Sequence, residues 1–393
     1  MSTTLQYIAS FFVLVSLSIT GTGAQTHTEA ASDIAPHCPV ERLYPGFPNP
    51  EVLGRVARGF NLPNWDATEA SDRPSSKTLA LLRERGLTHI RLPVFHGSFM
   101  GDDLQSAEAQ TYMQSMVDAV RTFVDLGYLV SIDLHPDGRF NEAYRSAPEG
   151  TLQRMITIWA ALSQHIATFK PANVLVEILN EPDTDAATWQ HHSAILIKTI
   201  RRLLPHHTIV VGPSGPQRHE SLFDITPSLD PNIIYAVHFY DPFIFTHQGA
   251  SWLSPDDPIR DFKQLPFPMN FSDPALQEVY QRLLSNGNAR AAMKLKEALS
   301  EPWGFAEMDR VFAGLKNWST QHERMIIVNE FGALSYHTPR ISRLTWLKAV
   351  VERANARCIG WTHWDYSDGF GFVDAKSGSV DETVLRMLVG GAP

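Results

Sequence analysis

The chain has 393 residues, 44% hydrophobic and 19% charged, enough to bury one large core or two smaller ones. Lys plus Arg number 33 against 42 Asp plus Glu, a formal charge of −9, which gives no electrostatic reason to expect a nucleic acid or an anionic membrane as partner and suits a neutral substrate.

In chain order, an apolar run from Tyr7 to Ile19 followed by Thr22, Gly23 and Ala24 reads as a secretory signal over residues 1–24, although its start lacks Lys and Arg. It is too short to span a bilayer comfortably, so no membrane association is expected after cleavage, and the product is expected to be secreted or periplasmic. Residues 25–50 form a Pro-rich irregular segment, and 51–393 read as a single domain. Two cysteines, Cys38 and Cys358, permit one disulfide in an oxidising compartment without requiring it.

From there, short β-branched runs alternate with longer amphipathic stretches. Strands are predicted over Val56 to Asn61, Thr88 to Pro93, Tyr128 to His135, Asn173 to Asn180, Thr208 to Gly212, Asn232 to Tyr240, Met325 to Phe331 and Cys358 to Tyr366. Helices are predicted over Ser76 to Arg85, Ser106 to Leu126, Thr151 to Phe169, Ala187 to Leu204, Phe305 to Thr320 and Pro339 to Ala354. In the second, Tyr112, Met116, Ala119, Val120 and Phe123 recur at three- and four-residue spacing, and Gly127 ends it. Eight β-then-α units imply an α/β fold, a (β/α)8 TIM barrel, with a doubly wound open sheet as the alternative. One connection breaks the rhythm: about 241–305, after the sixth strand, is an insertion rich in Pro and Phe with a predicted helix from Pro274 to about Asn286. On a barrel it would emerge at the catalytic face and wall the groove.

The residues closing each strand are unusually polar: Asn61, Arg91, His135, Asn180 with Glu181, His238 with Tyr240, Glu330, and Trp364. In a barrel these ends share one face, where catalytic groups collect. Two glutamates with aromatic and hydrogen-bonding company suit glycoside hydrolysis, one protonating the leaving oxygen and the other attacking the anomeric carbon or activating water. Arg91 would favour ionisation of Glu330, leaving the less compensated Glu181 protonated, while Tyr240 orients Glu330. Taken singly, Asn180-Glu181-Pro182 is an ordinary loop start, each histidine an ordinary structural one, and Arg91 an ordinary buried ion-pair partner.

Together these residues resemble glycoside hydrolase family 5, the large cellulase family of the retaining barrel clan, over nearly the whole mature chain. The resemblance implies Glu181 of Asn180-Glu181-Pro182 as acid/base and Glu330 of Asn329-Glu330-Phe331-Gly332 as nucleophile. It also implies Arg91, His135, Asn180, His238, Tyr240 and Trp364 as supporting or sugar-binding positions, with Asn61 and Trp65 from a first-strand signature, Arg58-Gly59-Phe60-Asn61-Leu62-Pro63-Asn64-Trp65. Two details depart from the usual pattern: Asn329 where glycine is frequent, and Pro136-Asp137-Gly138 after His135.

The activity implied is a retaining endo-β-1,4-glucanase acting as a monomer on a polysaccharide or oligosaccharide, with carboxyls about 5 to 5.5 Å apart. Alternatives are a β-glycanase acting on mannan, xylan, β-1,3- or mixed-linkage glucan, endo or exo, or a non-catalytic carbohydrate-binding barrel. No cofactor and no metal are expected, because Asp133 with His135, and His206 with His207, lack further ligands at coordinating spacing. Among the aromatics of loops expected at the catalytic face, Trp65, Phe95, Tyr144, Trp189 and Trp252, about two should reach sugar.

Overall fold

The computed structural model describes residues 38, 40–67, 73–100 and 103–390; the expected signal over 1–24 lies outside them. Among the described residues, eight parallel strands close into a barrel: β1 Arg58–Asn61, β2 His89–Val94, β3 Leu129–Leu134, β4 Val174–Glu177, β5 Ile209–Val211, β6 Ile233–Phe239, β7 Ile326–Phe331 and β8 Gly360–His363. Each pairs with the next, and β8 returns to β1 through Arg58 opposite Trp361 and Phe60 opposite His363, which excludes the open sheet.

Strand alternation sorts the core into two regions. Leu129, Leu175, Val210, Ile234 and Ile327 form one cluster, while their neighbours Val130, Val176, Ile209, Ile233 and Ile326 join the larger cluster that holds the helices' apolar stripes. The first cluster is closed by the end of the segment expected to be irregular, where Val40–Leu43 is helical, and by the helix Pro50–Arg55 that follows it; Val40, Val52, Leu53 and Val56 pack onto the strand residues of that cluster. Gly360 is required there, because a Cβ would meet the Val56 carbonyl at 2.8 Å.

Strands are shorter than the apolar runs that announce them, since a parallel ladder ends where backbone partners run out. The eighth cannot begin at Cys358, which has φ +57°, and it stops at His363, leaving Trp364 outside. All seven predicted helices form, the one in the insertion over Pro274–Ser285. Ala107–Asp125 is capped by Ser106, whose Oγ accepts the Ala109 N–H at 3.3 Å, and buries Tyr112, Met116, Val120 and Phe123. Full burial of such side chains contributes roughly 1.5–3 kcal/mol each before entropy is counted. The helix predicted from Thr151 starts three residues earlier with Pro148 in its first turn, where proline's missing N–H costs nothing. Unanticipated helices cover Gly138–Ser146, Ala289–Ala298 and Glu382–Val389, and only His219–Leu222 is helical between β5 and β6. Asp137 caps the first of these by accepting the Phe140 N–H at 3.0 Å, a local reason for the departure after His135.

Cys38 and Cys358 are disulfide-bonded, with Cα atoms 5.5 Å apart across 320 residues of sequence.

Candidate active site

The C-terminal ends of the strands surround a cleft of about 890 Å³ lined by Glu181, Glu330, His135, His238, Tyr240 and Trp364, among others. Its floor is built on Arg91, fully buried on β2. The guanidinium makes a fork to Glu177 (Nε to Oε2 2.8 Å, Nη2 to Oε1 2.9 Å), meets Asp133 at 2.9 Å and Glu330 at 2.6 Å, and donates to Asn61 and Asn180 Oδ1, both at 2.9 Å. Burial alone would lower its pKa, but Asp133, Glu177 and Glu330 hold it well above the ordinary value. Glu177 is pushed up by burial against the pull of Arg91, and Asp133 is pushed up by burial to about 7.

Glu330 reaches this floor because β7 bulges. Val237 faces Val328 and His238 faces Glu330, so Asn329 is an extra residue, and both it and Glu330 turn toward the centre. Asn329 Nδ2 donates to Glu177 at 2.8 Å, while Tyr240 donates its hydroxyl to Glu330 Oε2 at 3.0 Å. Burial and the Glu330 carboxylate keep the Tyr240 phenol protonated.

Glu181 lies beyond the end of β4 at φ +42°. Its Oε1 is 2.8 Å from His238 Nδ1, which stands 3.4 Å from Glu330 Oε2. One carboxylate oxygen of each glutamate lies within 4.8 Å of the other's. The Glu181 side chain keeps 38% of its surface open to the cleft, but protein surrounds the rest, so desolvation dominates and raises its pKa despite His135 and Arg91 nearby. Burial lowers the His238 pKa to about 4, so its ring is neutral near pH 7.

His135 is held by Asp133 (Nδ1 to Oδ2 2.8 Å) and stacks on Trp364 with ring centres 5.6 Å apart; Trp364 is joined to Asp365 by a cis peptide. Asn61 is buried, its Nδ2 donating to the Asn329 carbonyl at 3.0 Å.

The structure thus gathers Glu181, Glu330, Arg91, His135, Asn180, His238, Tyr240, Trp364 and Asn61. It does not bring Trp65 to the cleft. Trp65 is buried, its indole N–H donates to the Pro93 carbonyl at 2.7 Å, and its ring packs on Tyr112, so it is core. Tyr144 and Trp189 are likewise buried, bonded to His192 and to the Gly212 carbonyl, and Phe95 packs on Phe99 and Phe140. Of the five loop aromatics, Trp252 alone lines the cleft, joined by Phe370 and Tyr336. Glu177 was overlooked inside an apolar run; its signal was that it shares strand parity with Leu175, on the inward face.

Among the described residues, two groups bring three ligand-type atoms within 4.8 Å of one another: Glu181 with His238 and Glu330, and His219 with Glu220 and Asp241. A cation would have to displace Arg91 and Tyr240 from Glu330 in the first, and Arg218 from Glu220 and Asp241 in the second. A second cleft, about 680 Å³ beside helix Ala186–Leu203, is mostly apolar, and its Asp230 is paired with Arg201. No helix among the described residues is long and apolar enough to cross a membrane.

A closed parallel barrel whose strand ends converge on a carboxylate pair, a guanidinium and an open indole has the architecture of a barrel glycoside hydrolase. The chain belongs to the cellulase family, glycosyl hydrolase family 5, whose family model matches residues 54–368. It is 28% identical over 346 residues to Endoglucanase 3 of Fibrobacter succinogenes, covering 82% of this chain and 51% of that protein. It is 24% identical over 337 residues to Endoglucanase H of Acetivibrio thermocellus, covering 82% of this chain and 31% of that protein. The chain therefore spans about half or less of these relatives. The solved structure of an endoglucanase from the hyperthermophilic Thermotoga maritima superposes with a TM-score of 0.68 at 21% identity, over 87% of this chain and all of that one, a likeness of fold.

Proposed function

We propose that this protein is an exported, monomeric, retaining endo-β-1,4-glucanase with Glu330 as nucleophile and Glu181 as acid/base. The observation that carries the reading is that one oxygen of Glu181 and one of Glu330 lie within 4.8 Å of each other, which favours the roughly 5–5.5 Å group separation of a retaining pair over the 6.5–9.5 Å of an inverting one. Family membership and the names of the relatives support β-1,4-glucan as substrate, and the Cys38–Cys358 bridge supports an oxidising compartment.

In the first step Glu330 attacks the anomeric carbon while Glu181 gives its proton to the departing glycosidic oxygen. The sugar is left esterified to Glu330 and the leaving chain carries a new hydroxyl. In the second step Glu181, now ionised, takes a proton from water, whose oxygen displaces Glu330 at the same carbon. Two inversions restore the starting configuration. Arg91 and Tyr240 fix the oxygens of Glu330, His238 holds Glu181, and Trp364 offers a ring face to the sugar.

The test is reducing-sugar release from soluble β-1,4-glucan, mannan and xylan by wild type, Glu330→Gln and Glu181→Gln, with the first-formed anomer read by NMR. The expected result is glucan cleavage with the β-anomer formed first, abolished in Glu330→Gln and lowered about 10²- to 10⁴-fold in Glu181→Gln. An α-anomer formed first would remove the nucleophile assignment, and faster cleavage of mannan or xylan would move the substrate.

A further inference from the structure

The loop after β5 places one residue against the backbones of both Glu181 and His238. Gln217 is fully buried and adopts φ +48°, a left-handed conformation that a non-glycine residue holds only when its surroundings enforce it. Its side-chain Oε1 accepts the backbone N–H of Glu181 at 3.1 Å, and its backbone carbonyl accepts the N–H of His238 at 2.8 Å. Gln217 therefore grips the backbones of the two residues whose side chains meet at 2.8 Å.

Glu181 is itself left-handed at φ +42°, and its N–H is directed into protein. Without an acceptor that N–H would be a buried orphan, and the least costly relief would be rotation of the backbone away from this conformation. Such a rotation swings the carboxylate that must reach the glycosidic oxygen. Room for the clamp comes from the residue after β5: a Cβ on Gly212 would overlap the Gln217 amide, so the glycine is there for space and not for φ.

We propose that Gln217 is the positioning residue of the general acid, and that a glycine stands at 212, just after β5, in order to admit it. The inference rests on the assignment of Glu181 as acid/base. Its signature follows from that role: a misplaced acid slows departure of a sugar, which must be protonated, and spares departure of dinitrophenolate, which need not be.

The experiment compares kcat/KM on a cello-oligosaccharide and on dinitrophenyl cellobioside for the whole protein and for Gln217→Met, Gly212→Ala and Gln217→Glu. Gln217→Met and Gly212→Ala are expected to lose about tenfold to a hundredfold on the oligosaccharide and to stay within about twofold on the aryl substrate. Gln217→Glu keeps the acceptor and the shape, and should stay within about tenfold of wild type on both. Equal losses on the two substrates, or a Gln217→Glu oligosaccharide rate as low as that of Gln217→Met, would overturn the proposal. If Gln217→Met does not fold, Gly212→Ala against Gln217→Glu makes the same comparison. Wild-type activity on both substrates with an oligosaccharide rate unchanged in Glu181→Gln would instead remove the acid/base assignment beneath it.

Discussion

Arg91 meets Asp133, Glu177 and Glu330 at once, so the floor of the cleft holds more carboxylates than cations, and burial resolves the excess by keeping protons on. Asp133 and Asp365 are both pushed up by burial to about 7, far above the ordinary aspartate value near 3.9. A carboxyl that holds its proton more tightly folded than unfolded contributes stability at low pH. That contribution begins to fall once pH passes the unfolded value and is gone above about pH 7. Asp365 permits a clean test because its Oδ1 accepts the Asp368 N–H at 3.1 Å, an acceptor that asparagine retains. Melting temperatures between pH 4.5 and 8 should decline with pH more steeply in wild type than in Asp365→Asn; parallel curves would show that Asp365 is ionised throughout. The same scale shows what sequence can and cannot reveal. Glu181, Glu330 and Arg91 are legible because each is a polar residue toward the downstream end of an apolar run, whereas Glu177 is hidden inside one. In a parallel strand buried on both faces, the two-residue alternation that would expose an inward carboxylate is masked by apolar neighbours on either side.

Among the elements, the eight β-branched runs forecast the eight strands, because in a parallel barrel every strand is buried and must be apolar. What the runs did not forecast was the bulge at Asn329, which turns two consecutive side chains inward, or the fate of loop aromatics. Trp65 follows β1 as a cleft residue would, yet its loop folds back so that the ring meets helix Ala107–Asp125; sequence places an aromatic in a loop without giving the direction of that loop. The insertion after β6 does reach the cleft, but only its first turns do so. Phe243, His247, Ser251 and Trp252 line the wall, while its later part packs away through Phe267 on Phe305 and Met269 paired with Trp303. Trp252 is 57% exposed and leans on Phe370, so its removal should cost little stability. Trp252→Ala is expected to raise KM for cello-oligosaccharides about two- to tenfold with kcat nearly unchanged, the scale of one lost ring stack. An unchanged KM would show that sugars bypass that wall.

At the scale of the molecule, the barrel is sealed twice, by the ladder between β1 and β8 and by the Cys38–Cys358 bridge beside it. Constraining a loop of 320 residues in the unfolded chain predicts a stabilisation of about 2–5 kcal/mol. Urea unfolding of Cys38→Ser with Cys358→Ser should show that loss, while activity at 25 °C stays near wild type because neither cysteine lines the cleft. Reduced wild type should then match the double variant; equal midpoints for all three would show the bridge to be thermodynamically idle. The placement of this bridge also makes it a certificate of completion. Within this sequence Cys38 has only Cys358 to join, so its thiol stays available until the polypeptide has been made as far as residue 358. A chain cut short before that point would carry an unpaired thiol as the mark of its incompleteness, open to reaction with other thiols.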